Sequence, residues 1–536
     1  MVHHHRHHPQ QQRSKYDEEA AEALAYMDCA NLCKKSRPRF LRILFIFSMV
    51  SCSLVFAPRL FSHGALPFLY SFSEEDLDDG FSATRTSLNM CSSIKNGTIC
   101  CNRSSIRSDI CFMKGDIRTS SFSSSIILYS GENSSSIVEE EHRIRPYTRK
   151  WEPHVMKTID EISLIKTGEG SVESSKLSCE IEHRVPLIVF STGGYTGNVY
   201  HEFNDGIFPL YITAQKFKGE VVVAMVEYHD WWIMKYGDIL SKITNYPAID
   251  FSGDRRTHCF PEAIVGLQIH DELTVNSTFM EDHKSIADFR ALLDQGYTPR
   301  IRDIEEEERE MLRKEERERG KREDRQIDRG DERERVRKED RERRKREKRE
   351  RETGVWKPRL VIVSRNNSRA ILNQDEVVRE AEKIGFEVKV LSPTPSTELA
   401  KIYRALNASD VMVGVHGAAM THFLFMKPGS VFIQVVPLGT DWAAQTYYGE
   451  PAMKMGLKYF GYKILARESS LYNEYERESP VLKDPDSITR KGWEETKRVY
   501  LDGQNVRLEM QRFRKRLLKA YTHAVARRKR RGSRER

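Results

Sequence analysis

Hydrophobic residues in this chain gather into short, nearly uninterrupted runs, separated by longer segments with helical spacing. Val185–Phe190, Val221–Val226, Ala263–Ile269, Leu360–Val363, Val411–Val415 and Ser430–Val436 have the length and Val/Ile content of strands buried on both faces. Ser125–Tyr129 and Lys458–Ile464 read as further strands, and Phe386, Val388 and Val390 alternate as in a half-buried one. Between these the spacing predicts helices over Glu152–Leu164, from about Val199, and over Asp230–Ile239, Asp375–Ile384 and Trp442–Met455. Glu398–Leu406 is another, with Ser396 as its cap. A basic helical segment, residues 487–521, is expected to cross back onto the first half of the chain. Strands alternating with helices imply a parallel sheet with right-handed crossovers. The expected fold class is α/β, with two Rossmann-like lobes.

Two segments break this pattern. Ile43–Ala57 carries no charge, and Lys34, Lys35, Arg37, Arg39 and Arg42 precede it against Arg59 alone just after. By the positive-inside rule it reads as a single transmembrane signal anchor, with a cytosolic disordered tail (1–42) before it and a luminal stem (58–98) after it. Residues 303–352 hold 21 basic and 21 acidic side chains and almost no apolar period. They form a charged insertion, disordered or a solvated helix, between an N-terminal lobe (99–302) and a C-terminal lobe (353–486). A C-terminal helix and basic tail (487–536) close the chain.

Because the insertion is charge-balanced, the net charge of +8 comes from the N-terminal region and from residues 512–536. That distribution argues against a nucleic-acid partner, which wants a basic face on a folded module. Six of the nine cysteines lie beyond the anchor, with no CxxC pair, and read as up to three disulfides rather than a zinc site. Glycosylation sequons occur at Asn96, Asn102, Asn133 and Asn276, and also at Asn366 and Asn407, which sit beside folded segments and are expected to go unused.

Candidate chemistry lies where two buried strands break. Val185–Phe190 runs into the loop Ser191-Thr192-Gly193-Gly194-Tyr195-Thr196-Gly197-Asn198, which is not a dinucleotide fingerprint. The following helix carries His201, Glu202 and Asp205, with His201 and Asp205 four residues apart on one face. Glu202 or Asp205 is the favoured general base, with His201 as the third candidate and His416 facing them. Val411–Val415 breaks at His416-Gly417, where small residues expose helix N–H groups suited to a phosphate. Arg365, just past the Leu360–Val363 strand, is the best bidentate partner for that phosphate, and Thr421 a weaker one. Trp231 and Trp232 are candidates for stacking on a sugar, with core packing as the alternative. Asp76-Leu77-Asp78 has metal-binding spacing but no strand before it, and His416 with His422 lacks a third zinc ligand, so no metal site is assigned.

The strings STGGYTGNVYHEFNDG (191–206), YHDWWIMKYGD (228–238), VSRNNSRAILN (363–373) and VMVGVHGAAMTHFLFMKPGSVFIQVVPLG (411–439), with Trp442–Leu465, resemble plant members of glycosyltransferase family 61. The likeness runs from about Cys100 to Lys519, interrupted by the charged insertion, which the family does not account for. It implies a GT-B type pair of lobes, and a UDP-pentose donor transferred with inversion and without metal or other cofactor. It also implies a single-pass type II protein of the Golgi membrane with its catalytic part in the lumen. Arg365, His416, Gly417 and Thr421 become donor-binding residues on this resemblance. The acceptor is then xylan, as in the family's arabinofuranosyl- and xylosyltransferases of cell-wall synthesis. The alternatives are an N-glycan β-1,2-xylosyltransferase, and a non-catalytic paralogue or scaffold in a complex with other glycosyltransferases.

Overall fold

The computed structural model describes Cys91 and residues 93–130, 140–168, 177–326, 338, 342 and 356–534. The cytosolic tail, the anchor at 43–57, nearly all of the stem with Asp76-Leu77-Asp78, and Asn133 lie outside the described residues. Among the described residues, no helix is long and apolar enough to cross a membrane.

The first sheet is mixed rather than Rossmann-like throughout. Its strands run in the order Glu140–Ile144, Ile162–Gly168, Ser125–Ser130, Ile110–Ser120, His258–Val265, Leu187–Phe190, Val222–Met225 and Ile249–Asp250. From His258–Val265 through Ile249–Asp250 the neighbours are parallel, as the apolar runs imply. On the other side, Ile110–Ser120 pairs antiparallel with both His258–Val265 and Ser125–Ser130. The helix expected over Glu152–Leu164 is one turn, Pro153–Met156, followed by the Ile162–Gly168 strand. There Ile162 and Leu164 are buried while Ser163 is half-buried, a period-two signal in a stretch too short to outweigh helical spacing. All six downstream cysteines pair, as Cys91–Cys100, Cys101–Cys111 and Cys179–Cys259. Asn96 is exposed, whereas Asn102 and Asn276 use their side-chain oxygens to accept from Ser104 and Thr278 within their own sequons.

The second sheet is wholly parallel, in the spatial order Glu387–Leu391, Arg359–Val363, Val411–Val415, Val431–Val436, Lys458–Lys463. Numbered within this sheet the order is 2-1-3-4-5, so the chain reverses direction across the sheet between Arg359–Val363 and Val411–Val415. The crevice beyond the carboxyl ends of those two strands is where doubly wound sheets bind ligands. Alternate residues serve opposite faces, with Leu360, Ile362, Val411 and Val413 packing outward and Val361, Val363, Met412 and Phe432 packing towards the first sheet.

That inner face shares one apolar core with Ile188, Phe190, Val223 and Met225 of the first sheet. Between the sheets lies the start of the helix Ile286–Gln326, which inserts Phe289, Leu293 and Tyr297. Ile304 of this helix is buried too, so the boundary drawn at 302/303 falls within a continuous element. Its charged portion is tied down by ion pairs from Arg300 to Glu307 and Glu398 and from Arg404 to Glu308. The basic segment at the end of the chain differs from expectation. It is broken around Gly503, and its long helix, Met510–Arg534, buries Phe513, Leu517 and Ala520 on the outer face of the second sheet instead of crossing to the first.

Phe289 stacks on Phe208 at 4.0 Å and edges against Phe203 and Tyr211. Phe289→Ala should therefore destabilise the fold by about 3–5 kcal/mol, measured by chemical denaturation, the usual cost of an aromatic cavity.

Candidate active site

The first half-site is built on a helix with a π-turn. Asn198 caps it, its side chain accepting from Tyr200 N–H, and over Glu202–Ile207 the helix widens so that Phe208 N–H donates five residues back to Phe203. Pro209, four residues beyond Asp205, cannot donate to the Asp205 carbonyl, and Thr148 Oγ1 does so instead at 2.9 Å. The wide turn carries three buried polar residues within four positions, Glu202, Asn204 and Asp205, around the apolar Phe203.

Asp205 is almost wholly enclosed. Its Oδ2 accepts from Arg149 Nε at 2.7 Å, His201 Nδ1 at 2.7 Å and Tyr147 OH at 3.3 Å, and Oδ1 accepts from Asn204 Nδ2 at 2.8 Å. Burial alone would raise its pKa, but the His201 hydrogen bond and the Arg149 charge outweigh it and the carboxyl is held low. The Asp205 side chain is fully enclosed and both its oxygens are hydrogen-bonded, a placement that suits a support better than the base favoured from sequence. It orients His201 through Nδ1 and leaves Nε2 to meet a substrate proton, the Asp–His arrangement of general-base catalysis. Tyr195 stacks on the His201 ring at 4.1 Å and fixes its plane.

Glu202 is also placed differently from expectation. Its two oxygens accept from Gly197 N–H and Trp232 Nε1, each at 2.6 Å, so the carboxylate ties the Gly-rich loop to the Asp230–Leu240 helix. Burial raises its pKa to about 7 despite those donors. Trp232 is thus a core residue and a support for the site, while Trp231 remains partly open.

The second half-site occupies the switch point of the second sheet. Arg365 and Arg369 stand side by side, both partly buried, and no carboxylate forms an ion pair with either among the described residues. Arg365 Nε donates to Ser368 O at 3.1 Å and Arg369 Nη1 to His416 O at 3.2 Å, while Arg369 Nε is buried without a partner. Burial, then the charge of Arg365, lowers the Arg369 pKa to about 10. Two guanidinium groups crowded together without an anion are costly, and a phosphate would relieve both. Gly417 makes room for them. Its φ is +146°, and a Cβ there would come within 2.5 Å of Arg365 Nη1 and 2.9 Å of Arg369 Nη1.

His416 lies against this pair rather than facing the first half-site's carboxylates. Tyr459 OH donates to Gln434 Oε1 and Gln434 Nε2 to His416 Nδ1, which makes His416 Nε2 the N–H donor. Burial, with the Arg369 and Arg365 charges, pushes its pKa down to about 3, so the ring is neutral. The helix after Gly417 is a 3₁₀ helix, Ala418–Phe425, and Thr421 is buried in it beside Tyr448, with no well-formed hydrogen bond. His422 is likewise buried and packs on Phe425.

Tyrosines join the halves. Tyr200, next to His201, contacts Tyr447 at 5.3 Å and Tyr448 at 5.8 Å, and Tyr448 edges against His416 at 5.4 Å. The site therefore links an imidazole held by a buried carboxylate, through this tyrosine cluster, to a pair of crowded guanidinium groups. Among the described residues, no group of three or more His, Cys, Asp or Glu is arranged to hold a metal ion. Sequence reasoning missed Arg149, Arg369, Gln434 and Tyr448. Of these, Arg369 alone had a local signal, the repeat Ser364-Arg365 and Ser368-Arg369.

The glycosyltransferase 61 family profile matches residues 295–433, the stretch holding Arg365, Arg369, His416 and Gly417. The chain is 49% identical over 500 residues to the xylan glycosyltransferase MUCI21 of Arabidopsis thaliana, covering 93% of this chain and 94% of that protein. It is 34% identical to the β-1,2-xylosyltransferase XYXT1 of Oryza sativa subsp. japonica, over 77% of this chain and 82% of the relative. To the α-1,3-arabinosyltransferase XAT3 of the same organism it is also 34% identical, over 78% of this chain and 64% of the relative.

Two outcomes follow from the geometry. Gly417→Ala should displace the Arg365 guanidinium and weaken pyrophosphate binding several-fold by calorimetry, with the fold retained. Glu202 holds its proton up to about pH 7 when folded, against 4.5 as its ordinary value. The folded state then binds more protons than the unfolded one across that window, and stability falls as pH rises through it. Glu202→Gln should flatten the decline of melting temperature between those two values.

Proposed function

The chain belongs to glycosyltransferase family 61, and on that premise we propose that it transfers a pentose, xylose or arabinofuranose, from a UDP-sugar to xylan with inversion at the anomeric carbon. The observation that carries the reading is the pair Arg365 and Arg369, partly buried at the switch point with no ion-paired carboxylate among the described residues. In this mechanism the two guanidinium groups bind the donor's diphosphate, and His416 Nε2–H donates to the same group. His201 Nε2 takes the proton of the acceptor hydroxyl while its Nδ1–H stays on Asp205. The freed oxygen attacks the anomeric carbon in line, the bond from that carbon to the diphosphate oxygen breaks, and the arginines take up the charge leaving with UDP.

The two-sheet architecture with a switch-point crevice supports a GT-B arrangement, and a single displacement needs no metal. The substrate assignment draws on relatives named as xylan glycosyl-, arabinosyl- and xylosyltransferases. We further propose a Golgi location, with residues 43–57 as a type II anchor and the catalytic part in the lumen. Three disulfides favour such an oxidising compartment.

The test is transfer from UDP-xylose or UDP-arabinofuranose to xylan oligomers, with the product's anomeric configuration read by NMR. Transfer from neither donor would overturn the reading, and loss of activity on adding a chelator would overturn the metal-free step. Arg369→Ala should raise the donor KM by about tenfold or more, the worth of a charged hydrogen bond, with Arg369→Lys recovering only part of it. His201→Ala should lower kcat by roughly 10²–10⁴-fold.

A further inference from the structure

Trp442 is 69% exposed, on the one-turn helix Asp441–Ala444 that follows the Val431–Val436 strand. A single open aromatic is ordinary on a protein surface. This one is continuous with the reacting group. Its ring edges against Tyr447 at 5.4 Å, Tyr447 against Tyr200 at 5.3 Å, and Tyr200 against His201 at 5.1 Å. Beyond His201 the run continues through Tyr195, stacked at 4.1 Å, to Arg149, which lies 5.6 Å over Tyr195 and 5.2 Å over Trp151. Trp151, 42% exposed, ends the run on the first-sheet side as Trp442 ends it on the second-sheet side. Asp441, which begins the short helix, ion-pairs with the exposed Lys463 at 2.5 Å, and Ala444 at its other end is buried.

We propose that Trp442 and Trp151 are acceptor subsites on either side of His201, each stacking on a sugar ring of an extended linear glycan whose middle residue offers its hydroxyl to His201. The occupant follows from the chemistry. A pyranose presents an apolar C–H face that lies flat on an indole, while its edge hydroxyls need polar partners. Glu152, 18% exposed at its side chain beside Trp151, is the polar partner there, held by Arg149 and by Tyr195 OH, which donates to it at 2.7 Å. A chain bound this way reaches past the reactive residue in both directions, so affinity grows with acceptor length.

The inference rests on the transferase reading for its choice of glycan, and its test is independent of turnover. Binding of xylobiose and xylohexaose to the full-length protein without donor is measured by intrinsic tryptophan fluorescence and calorimetry. The wild type should bind the hexamer more tightly than the dimer. Trp442→Ala should remove roughly three- to tenfold of hexamer affinity, the worth of one aromatic contact, and shrink the length preference, with Trp442→Phe restoring most of it. Phe122→Ala, at a fully exposed aromatic in the turn 121–124 away from this run, is the control and should keep the preference. A wild type with no length preference, or a preference kept in Trp442→Ala, would overturn the inference. Length-dependent binding without pentose transfer would uphold the subsites and overturn the transferase reading instead.

Discussion

The arrangement of the site depends on one apolar layer shared by the two sheets. Phe203, Phe289 and Phe425 meet in it, with Phe203 at 6.5 Å from Phe289 and 6.1 Å from Phe425. Phe203 lies in the chain between Glu202 and Asp205, and Phe425 ends the 3₁₀ helix that Gly417 begins. The side chains that hold the sheets together therefore also set where the proton acceptor stands relative to the anion seat. Interiors are close-packed and tolerate little displacement, so the two half-sites are positioned by packing rather than by polar contacts between them.

Two kinds of buried charge sit on that frame, and they are treated in opposite ways. Asp205 has every oxygen occupied by donors from Arg149, His201, Tyr147 and Asn204, which offsets its desolvation and makes it a rigid support. Among the described residues Arg365 and Arg369 have no ion-pair partner, the Asp502 charge only partly supports Arg369, and burial lowers the pKa of both. A diphosphate would supply the missing counter-charge, and binding to the folded state alone stabilises it by mass action. The contrast separates a structural ion from a waiting one. Glu202 falls between them, satisfied by Trp232 and Gly197 yet buried enough to keep its proton to about pH 7.

The parallel strands, the switch-point loop and the residues Arg365, His416 and Gly417 were legible because buried parallel strands are continuous apolar runs and the loops at their carboxyl ends hold the polar residues. The antiparallel flank was legible only at Ser125–Tyr129. Ile110–Ser120 opens on four apolar residues and then turns mainly polar, with Gly115 and Asp116 in its middle, and its identity as a strand depends on Ser125–Ser130 and His258–Val265 lying beside it. The role of Asp205 was misread for a related reason. Its helical neighbour His201 is visible at a spacing of four, but Tyr147 and Arg149 reach it from more than fifty residues away and occupy the oxygens a base would need.

The sequence by itself determined the buried parallel strands, their order along the chain, the placement of Arg365 and Gly417 at the carboxyl ends of two of them, and the six cysteines available for disulfides. Those features are local, set by periodicity and by residue type. Tertiary structure alone decided that the oxygens of Asp205 and Glu202 are occupied while His201 Nδ1 is held by Asp205, that Arg369 joins Arg365, and that Trp442 stands in a run of rings reaching His201. Each of those depends on which distant side chains satisfy, crowd or continue a given one, and only the packed core brings them within reach.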